Sequence, residues 1–322
     1  MRKFLFVFIV FSYCVSVHAA PMASLDDTLR ATYMACFGID EELKPLKVKA
    51  GINTAVTAVG TATGAGALAT GLVKKKTDKE IEELEKKLEE ILNREDRGEF
   101  PDPTLEEIDG FVNSGDEKDA EVNTVSAGPS EADQIQAEID EKTKKSIKLG
   151  NWRTGLLAGN TATNIAGAVI AGTNKVKGDL EAQIKDCIAA VGELRRAVGR
   201  AEIEQEGDIS EAKGILNACA KYETIDIGKI NNRATGAMVS SSVGAATGVA
   251  GTISSIFANS KKVRNDNSDA GKKKEKGLNT AANVLAGAST LASGTATVFN
   301  ATQIKAIKDV SAVAAECTGA LQ

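Results

Sequence analysis

The sequence predicts an all-α chain: two tandem, long antiparallel helical hairpins with coiled-coil-like packing through small residues, each closed at its base by a disulfide. Three observations predict it. Four segments, 50–73, 154–174, 234–260 and 277–304, contain neither a charged residue nor a proline. Within them small and large residues recur at steps of three and four, the spacing of one helix face. The cysteines and the segment borders are also symmetric about two polar centres. Cys36 and Cys187 share a midpoint with Gly51 and Gly172 and with Val73 and Gly150, while Cys219 and Cys317 nearly share one with Ser260 and Gly277. Palindromic spacing about a polar tip is what a chain produces when it turns back along itself.

Residues 1–19 open with Arg2 and Lys3, continue as an uncharged apolar run and end in Val17 and Ala19, the pattern of a secretory signal peptide. Its removal takes the single histidine, His18, and two of the 39 basic residues, leaving a chain still more acidic than the formal −5. Without imidazole there is no histidine for a catalytic triad or a zinc site, and an acidic exported chain suits phosphate-backbone binding poorly. No Walker, Rossmann or G-x-S-x-G pattern stands in a suitable context. The chain is therefore read as non-enzymatic, with no cofactor, metal, nucleic acid or small-molecule substrate. Cys36, Cys187, Cys219 and Cys317 remain, an even number suited to an oxidising compartment. The symmetry pairs Cys36 with Cys187 and Cys219 with Cys317.

The first unit, 20–200, holds the ascending segment 50–73, where Ile52, Val59, Gly66 and Val73 step by seven beside Asn53, Thr57, Gly60, Gly64, Ala67 and Gly71. Ile81, Leu84, Leu88 and Ile91 extend this arm. An acidic, Gly- and Pro-containing tip, about 97–128, is expected to be partly disordered. The return arm starts at a capping signal, Ser130 with Asp133, and carries its small residues less regularly, through Gly155 and Gly159. The mirror register sets Trp152 opposite Gly71 and favours packing there over an interfacial anchor. In the second unit, 201–322, Ala237, Ser241, Gly244, Gly248, Gly251 and Ser255 form one small stripe. Gly287 and Gly294, with Thr290 and Thr297, form the other, beside Val284, Leu291 and Val298. Its tip, about 261–276, is short and basic. The near-repeat "GINTA" at 51–55 and "GLNTA" at 277–281 is expected to mark helix entries.

Glycine costs about 1 kcal/mol relative to alanine inside a helix, so glycines on one face imply that backbones approach closely. The sequence carries two functional readings. The first is an exported structural or adaptor protein of the cell envelope, periplasmic or extracellular, which binds itself or another envelope protein through Gly/Ala/Ser/Thr-rich helix faces. The alternative is a membrane-inserted protein with four small-residue helices, a scaffold or a glycine-zipper pore-former. Span length, small-xxx-small pairs and basic flanks (Lys74, Lys75, Lys76; Lys144, Lys145, Lys148; residues 261–264 and 272–276) suit a bilayer. The scarcity of large aliphatic residues, with Asn53, Asn160, Asn164 and Asn283 in the spans, tips the composition argument toward the soluble or peripheral reading.

Overall fold

The computed structural model describes residues 24–97, 130–204, 207–264, 266 and 268–322. The signal peptide and the stretch 98–128 of the acidic tip lie outside the described residues. Within them the chain is helical, with no strand: α1 (Leu25–Cys36), α2 (Ile39–Asp96), α3 (Glu131–Thr173), α4 (Asp179–Glu204), α5 (Ser210–Cys219), a 3-10 turn (Ala220–Thr224), α6 (Ile227–Asn259), α7 (Lys261–Arg264) and α8 (Asp269–Ala320). Local chemistry sets several boundaries. The Ser24 side chain accepts from the Asp27 amide at the start of α1. Ser130 and Asp133 form the expected capping box of α3, satisfying amides that have no intrahelical acceptor. Gly38, between α1 and α2, has φ +83°, a conformation that a residue with a Cβ rarely adopts.

Contacts divide the chain into two compact units, each drawing on both sequence halves, unlike the expected sequential division near residue 200. Unit one takes the described residues up to Lys44, Val176–Ile227 and Lys308–Gln322, and unit two takes Pro45–Lys175 and Gly228–Ile307.

Unit one is a small conventional core. α1 packs along α4, and the Thr32 hydroxyl lies 3.3 Å from the Ala190 carbonyl. Ile184, Val191 and Leu194 are fully buried, as are all four cysteines. The bonds are Cys36–Cys187 and Cys219–Cys317, the pairing that the symmetry predicts. Arg195–Glu223 and Lys221–Glu316 ion pairs close its surface. Burial, and secondarily the charge of Asp40, raise the pKa of Tyr222 far above the ordinary phenol range, so it stays neutral.

Unit two sets α2, α3, α6 and α8 side by side. A position that rises along α2 meets one that falls along α3: Gly60 lies against Thr163, Gly71 against Arg153, and Ser146 donates to Asp78. The same holds for α6 against α8, from Gly236 on Phe299 to Gly251 on Leu285. Burial repeats every seven residues in all four helices. On α6 the buried positions are 230, 234, 237, 241, 244, 248, 251, 255 and 258, and on α3 they are 139, 146, 150, 153, 157, 160, 164, 167 and 171. Small residues at these positions let the backbones approach, as the glycine argument requires. The two near-repeats are not helix entries. Gly51 and Gly277 lie inside α2 and α8, and the asparagines they introduce, Asn53 and Asn279, make hydrogen bonds with neighbouring helices.

Candidate functional site: the polar interior of unit two

The seven-residue stripe that unit two turns inward is built of alanine, glycine and polar side chains, with few large apolar ones. Asn53, Thr57, Arg153, Asn160, Asn164, Ser241, Ser255, Ser289, Ser293, Asn300 and Gln303 are all fully buried. Apart from Leu157, Ile230 and Ile307, which are buried, many of the large apolar side chains face outward instead. Val59 is 54% exposed, Val169 62%, Phe257 57%, Val284 66%, Leu291 74% and Val298 62%. Soluble bundles place these residue types the other way round.

The interior groups pair in layers along the unit. In one layer Asn174 Nδ2 donates to Gln303 Oε1 at 3.4 Å, and Gln303 Nε2 donates to the Asn174 carbonyl at 2.7 Å. Next, Asn53 Nδ2 donates to Asn300 Oδ1 at 2.9 Å, with the Thr57 and Thr297 hydroxyls 3.0 Å apart beside them. A third layer ties α3, α6 and α8 together. Asn160 Nδ2 donates to Ser289 Oγ at 2.8 Å, Ser289 Oγ donates to the Gly244 carbonyl at 2.7 Å, and Ser293 Oγ donates to Asn164 Oδ1 at 3.0 Å. Then comes a dry layer of Leu157, Ala67 and Ala286, with Leu68 and Leu156 against it.

Beyond the dry layer lies Arg153, entirely buried. Its Nε donates to Ser255 Oγ at 3.2 Å, Nη1 to Asn283 Oδ1 at 3.2 Å and Nη2 to Asn279 Oδ1 at 2.7 Å. These three acceptors are neutral oxygens. The fork of the guanidinium explains why one residue can bridge α6 and α8 at once. A further layer holds Lys74, 3% exposed, 2.6 Å from Asp78 and 3.6 Å from Glu275. Burial raises the Glu275 pKa, against the opposing charge of Lys74.

The glycines expected to mediate packing divide into two sets. A Cβ on Gly60, Gly64, Gly71, Gly244, Gly248 or Gly251 would come within 2.6, 2.4, 1.9, 2.7, 2.5 or 3.2 Å of a neighbouring helix's atoms. Gly294 approaches only Thr61, at 3.9 Å, and Gly155, Gly159 and Gly287 face open space. The reason is register. On α8 the stripe that packs is Ala282, Ala286, Ser289, Ser293 and Ala296, opposite the outward Val284, Leu291 and Val298. On α3 it runs through Leu157, Asn160, Asn164 and Gly167. The pair Asn160 and Asn164, one helical turn apart in an uncharged segment, was the available sign. Gly150, Gly167 and Gly236, which the sequence reading passed over, do lie against neighbours, with Cβ approaches of 2.3, 2.9 and 2.9 Å.

Trp152 is another correction. Gly71 is covered by Asn283, whose Oδ1 lies 1.9 Å from the Cβ position there, and by Arg153, whose Cδ lies 3.1 Å away, while Trp152 is 62% exposed. A one-residue shift of the mirror register turns the indole outward and the guanidinium inward.

Replacing Arg153 by methionine keeps an apolar stem over Gly71 but leaves three oxygens, the buried one of Ser255 and the half-buried ones of Asn279 and Asn283, without this donor. Lost hydrogen bonds at about 1 kcal/mol each, partly offset by removing a buried charge, give an expected net destabilisation of about 1–2 kcal/mol. Chemical denaturation of Arg153→Met beside the parent protein measures it.

Two helical stretches, Leu25–Arg94 and Ser210–Asn259, are long and apolar enough to cross a membrane, and only 28% and 33% of their most apolar windows are buried. The disulfides point to an oxidising, non-cytoplasmic environment. No family model matches the chain, and comparison with curated proteins and with solved structures finds no match either.

Proposed function

We propose that this chain is a non-enzymatic, exported membrane protein in which the helical hairpins α2–α3 and α6–α8 insert together, with α2, α3, α6 and α8 as four packed spans. The observation that carries this reading is the inversion of unit two, with asparagine, serine and threonine inside and valine, leucine, isoleucine and phenylalanine outside. In water that outer surface costs free energy in proportion to its apolar area. Against hydrocarbon it costs nothing, and the polar groups gain by being paired away from lipid. Each hairpin contains one stretch apolar enough to span alone, so the more polar α3 and α8 have a partner to insert beside.

The charge pattern gives an orientation. The basic groups at 74–76, 144–148, 261–264 and 272–276 flank the spans on the tip side, while the chain beyond the opposite ends leads to the four cysteines. Tips toward the cytoplasm and disulfides toward the oxidising side satisfy both the positive-inside tendency and the redox requirement. Trp152, exposed at the basic margin of its span, suits the headgroup level. The envelope-adaptor reading needs free small-residue faces to bind another copy or another envelope protein. In unit two the faces that carry Gly60, Gly64, Gly71, Gly244, Gly248 and Gly251 are turned toward one another, and what remains to be covered is an outer surface of large apolar residues with Gly155, Gly159 and Gly287 among them.

Alkaline carbonate extraction of membranes from cells expressing the full chain tests the reading. The protein is expected to stay with the pellet and to be released by detergent alone. Release by carbonate returns the chain to the soluble or peripheral class.

A further inference from the structure

We propose that the outward face of α3 holds one anionic phospholipid, with its phosphate among Lys144, Lys145 and Lys148 and an acyl chain along the trough from Gly155 to Ala166, an inference that rests on the membrane-spanning reading above. Lys148, Trp152, Gly155, Gly159, Ala162 and Ala166 follow one another at steps of three and four, so they share one face of the helix. All are exposed except the half-buried Gly159, and this face is turned away from the stripe that packs inside unit two. Asn151, Trp152, Gly155 and Leu156 line a shallow open hollow at its head. The Cβ positions of Gly155 and Gly159 have nothing within 4 Å, so no contact among the described residues uses the missing side chains. Glycine weakens a helix relative to alanine, and a guest lying against the bare backbone supplies a reason for it. From Gly155 to Ala166 the trough runs about 16 Å at the helical rise, close to one leaflet's half of a hydrocarbon core about 30 Å thick.

Charge chooses the guest. Lys144, Lys145 and Lys148 are exposed and join no ion pair among the described residues, while Glu80 and Glu138 pair with Lys142 instead. On its own helix Lys148 has no acid nearer than Glu141, two turns before it, and none follows until Asp179. Trp152 stands one turn beyond Lys148, where an indole suits the headgroup level, and the exposed Asn151 amide adds a donor beside it. A block of lysines at this depth attracts an anionic headgroup of the cytoplasmic leaflet, the side to which the tips point in the orientation above. A second copy suits the face less well. Two copies inserted the same way and meeting there would bring their sets of three lysines toward each other, and like charges repel.

Trp152 is the only tryptophan of the chain, so its fluorescence reports on this face alone. The full chain is reconstituted in phosphatidylcholine vesicles containing a minor fraction of phosphatidylglycerol, with flotation run on every sample. Bromine, which quenches indole fluorescence on contact, is carried by the phosphatidylglycerol in one set and by an equal fraction of the phosphatidylcholine in the other. Both sets then have the same surface charge. The relative affinity drawn from the two is expected to favour phosphatidylglycerol about fivefold or more, the factor one lysine supplies near an anionic surface, and to shrink in high salt. Lys144→Gln with Lys145→Gln and Lys148→Gln is expected to bring it to about one. Lys148→Gln alone is expected to fall between, a second readout should the triple variant fail to insert. Gly159→Leu, which fills the trough, is expected to lower the preference with the lysines intact. Lys273→Gln with Lys274→Gln and Lys276→Gln removes the same charge from α8 and is expected to match wild type. A wild-type ratio near one overturns the site while leaving the membrane reading in place, and so does an equal loss in the α3 and α8 triple variants. A preference that survives the α3 triple variant overturns the phosphate assignment, and one that Gly159→Leu leaves unchanged overturns the trough. Floated protein that neither brominated lipid quenches has Trp152 covered by protein, which gives the face to another copy and overturns the lipid. Failure of the wild-type protein to float overturns the membrane reading and the lipid site together.

Discussion

Gly64→Val is expected to destabilise unit two by about 3 kcal/mol, whereas Gly155→Val leaves it unchanged or slightly more stable. Both residues are helical glycines in uncharged segments, and intrinsic propensity favours the substitution at each by a few tenths of a kcal/mol. The difference is what the new side chain meets. A Cβ on Gly64 would lie 2.4 Å from Thr290 Oγ1 and 2.8 Å from Asn160 Nδ2. Neither neighbour is a loose end. Thr290 Oγ1 donates to the Ala286 carbonyl at 2.7 Å, and Asn160 Nδ2 donates to Ser289 at 2.8 Å. To admit three carbons, α2 must move away from α3 and α8, loosening contacts along the interface. Overpacking a filled interior costs about 1–3 kcal/mol even when some relaxation is available, and the loss of an interior hydrogen bond adds to it. At Gly155 the Cβ position has nothing within 4 Å. Thermal melts followed by circular dichroism in mild detergent compare the two. Equal shifts for both variants would mean that the small-residue contact at Gly64 is not what holds these helices together.

Removal of either disulfide is expected to cost about 4 kcal/mol, the largest single effect available in unit one. The linked cysteines are 151 and 98 residues apart. Closing loops of that length restricts the unfolded chain by roughly 4–5 kcal/mol on the chain-entropy model, with measured losses of about 2–5 kcal/mol for small exported domains. Unit one is exposed to this loss because it is assembled from three separate stretches of chain. Cys36–Cys187 ties the end of α1 to the middle of α4, and Cys219–Cys317 ties α5 to the end of α8. The paired substitutions Cys36→Ala with Cys187→Ala, and Cys219→Ala with Cys317→Ala, are compared by denaturant unfolding. Since all four sulfurs are buried, reductant is also expected to act on the wild-type protein only after unfolding begins. Unchanged denaturation midpoints in both double variants would remove the disulfides from the account of stability.

Much of this was legible in the chain. Uncharged segments with small residues at heptad steps announced helices, and the inward stripes of α2 and α6 could be read residue by residue, from Asn53 to Gly71 and from Ala237 to Ser255. On α3 and α8 two small-residue stripes compete. Gly155 and Gly159, or Gly287 and Gly294, are as small as the residues that pack, and glycine carries no side chain whose polarity would show which way it faces. The outward Val284, Leu291 and Val298 would have resolved α8, had the large stripe been taken as the outside. A soluble-protein expectation places large aliphatic residues in the core and hides that choice. Arg153 was missed for a similar reason: beside Trp152, the larger apolar neighbour, a lone arginine reads as a solvated helix margin.

By itself the sequence determined that the described chain is helical, that its cysteines pair within two symmetric spans, and that the helices present small faces to something. These are consequences of local spacing and of loop geometry, which a linear string records. Only the tertiary structure decided that the small faces meet one another, that asparagine and serine fill the interior while valine and leucine look outward, and that a guanidinium sits next to a single dry layer. Inside and outside are properties of the packed assembly. Along one helix a stripe has a period but no sign, and it acquires the sign when three other helices take up one of its sides.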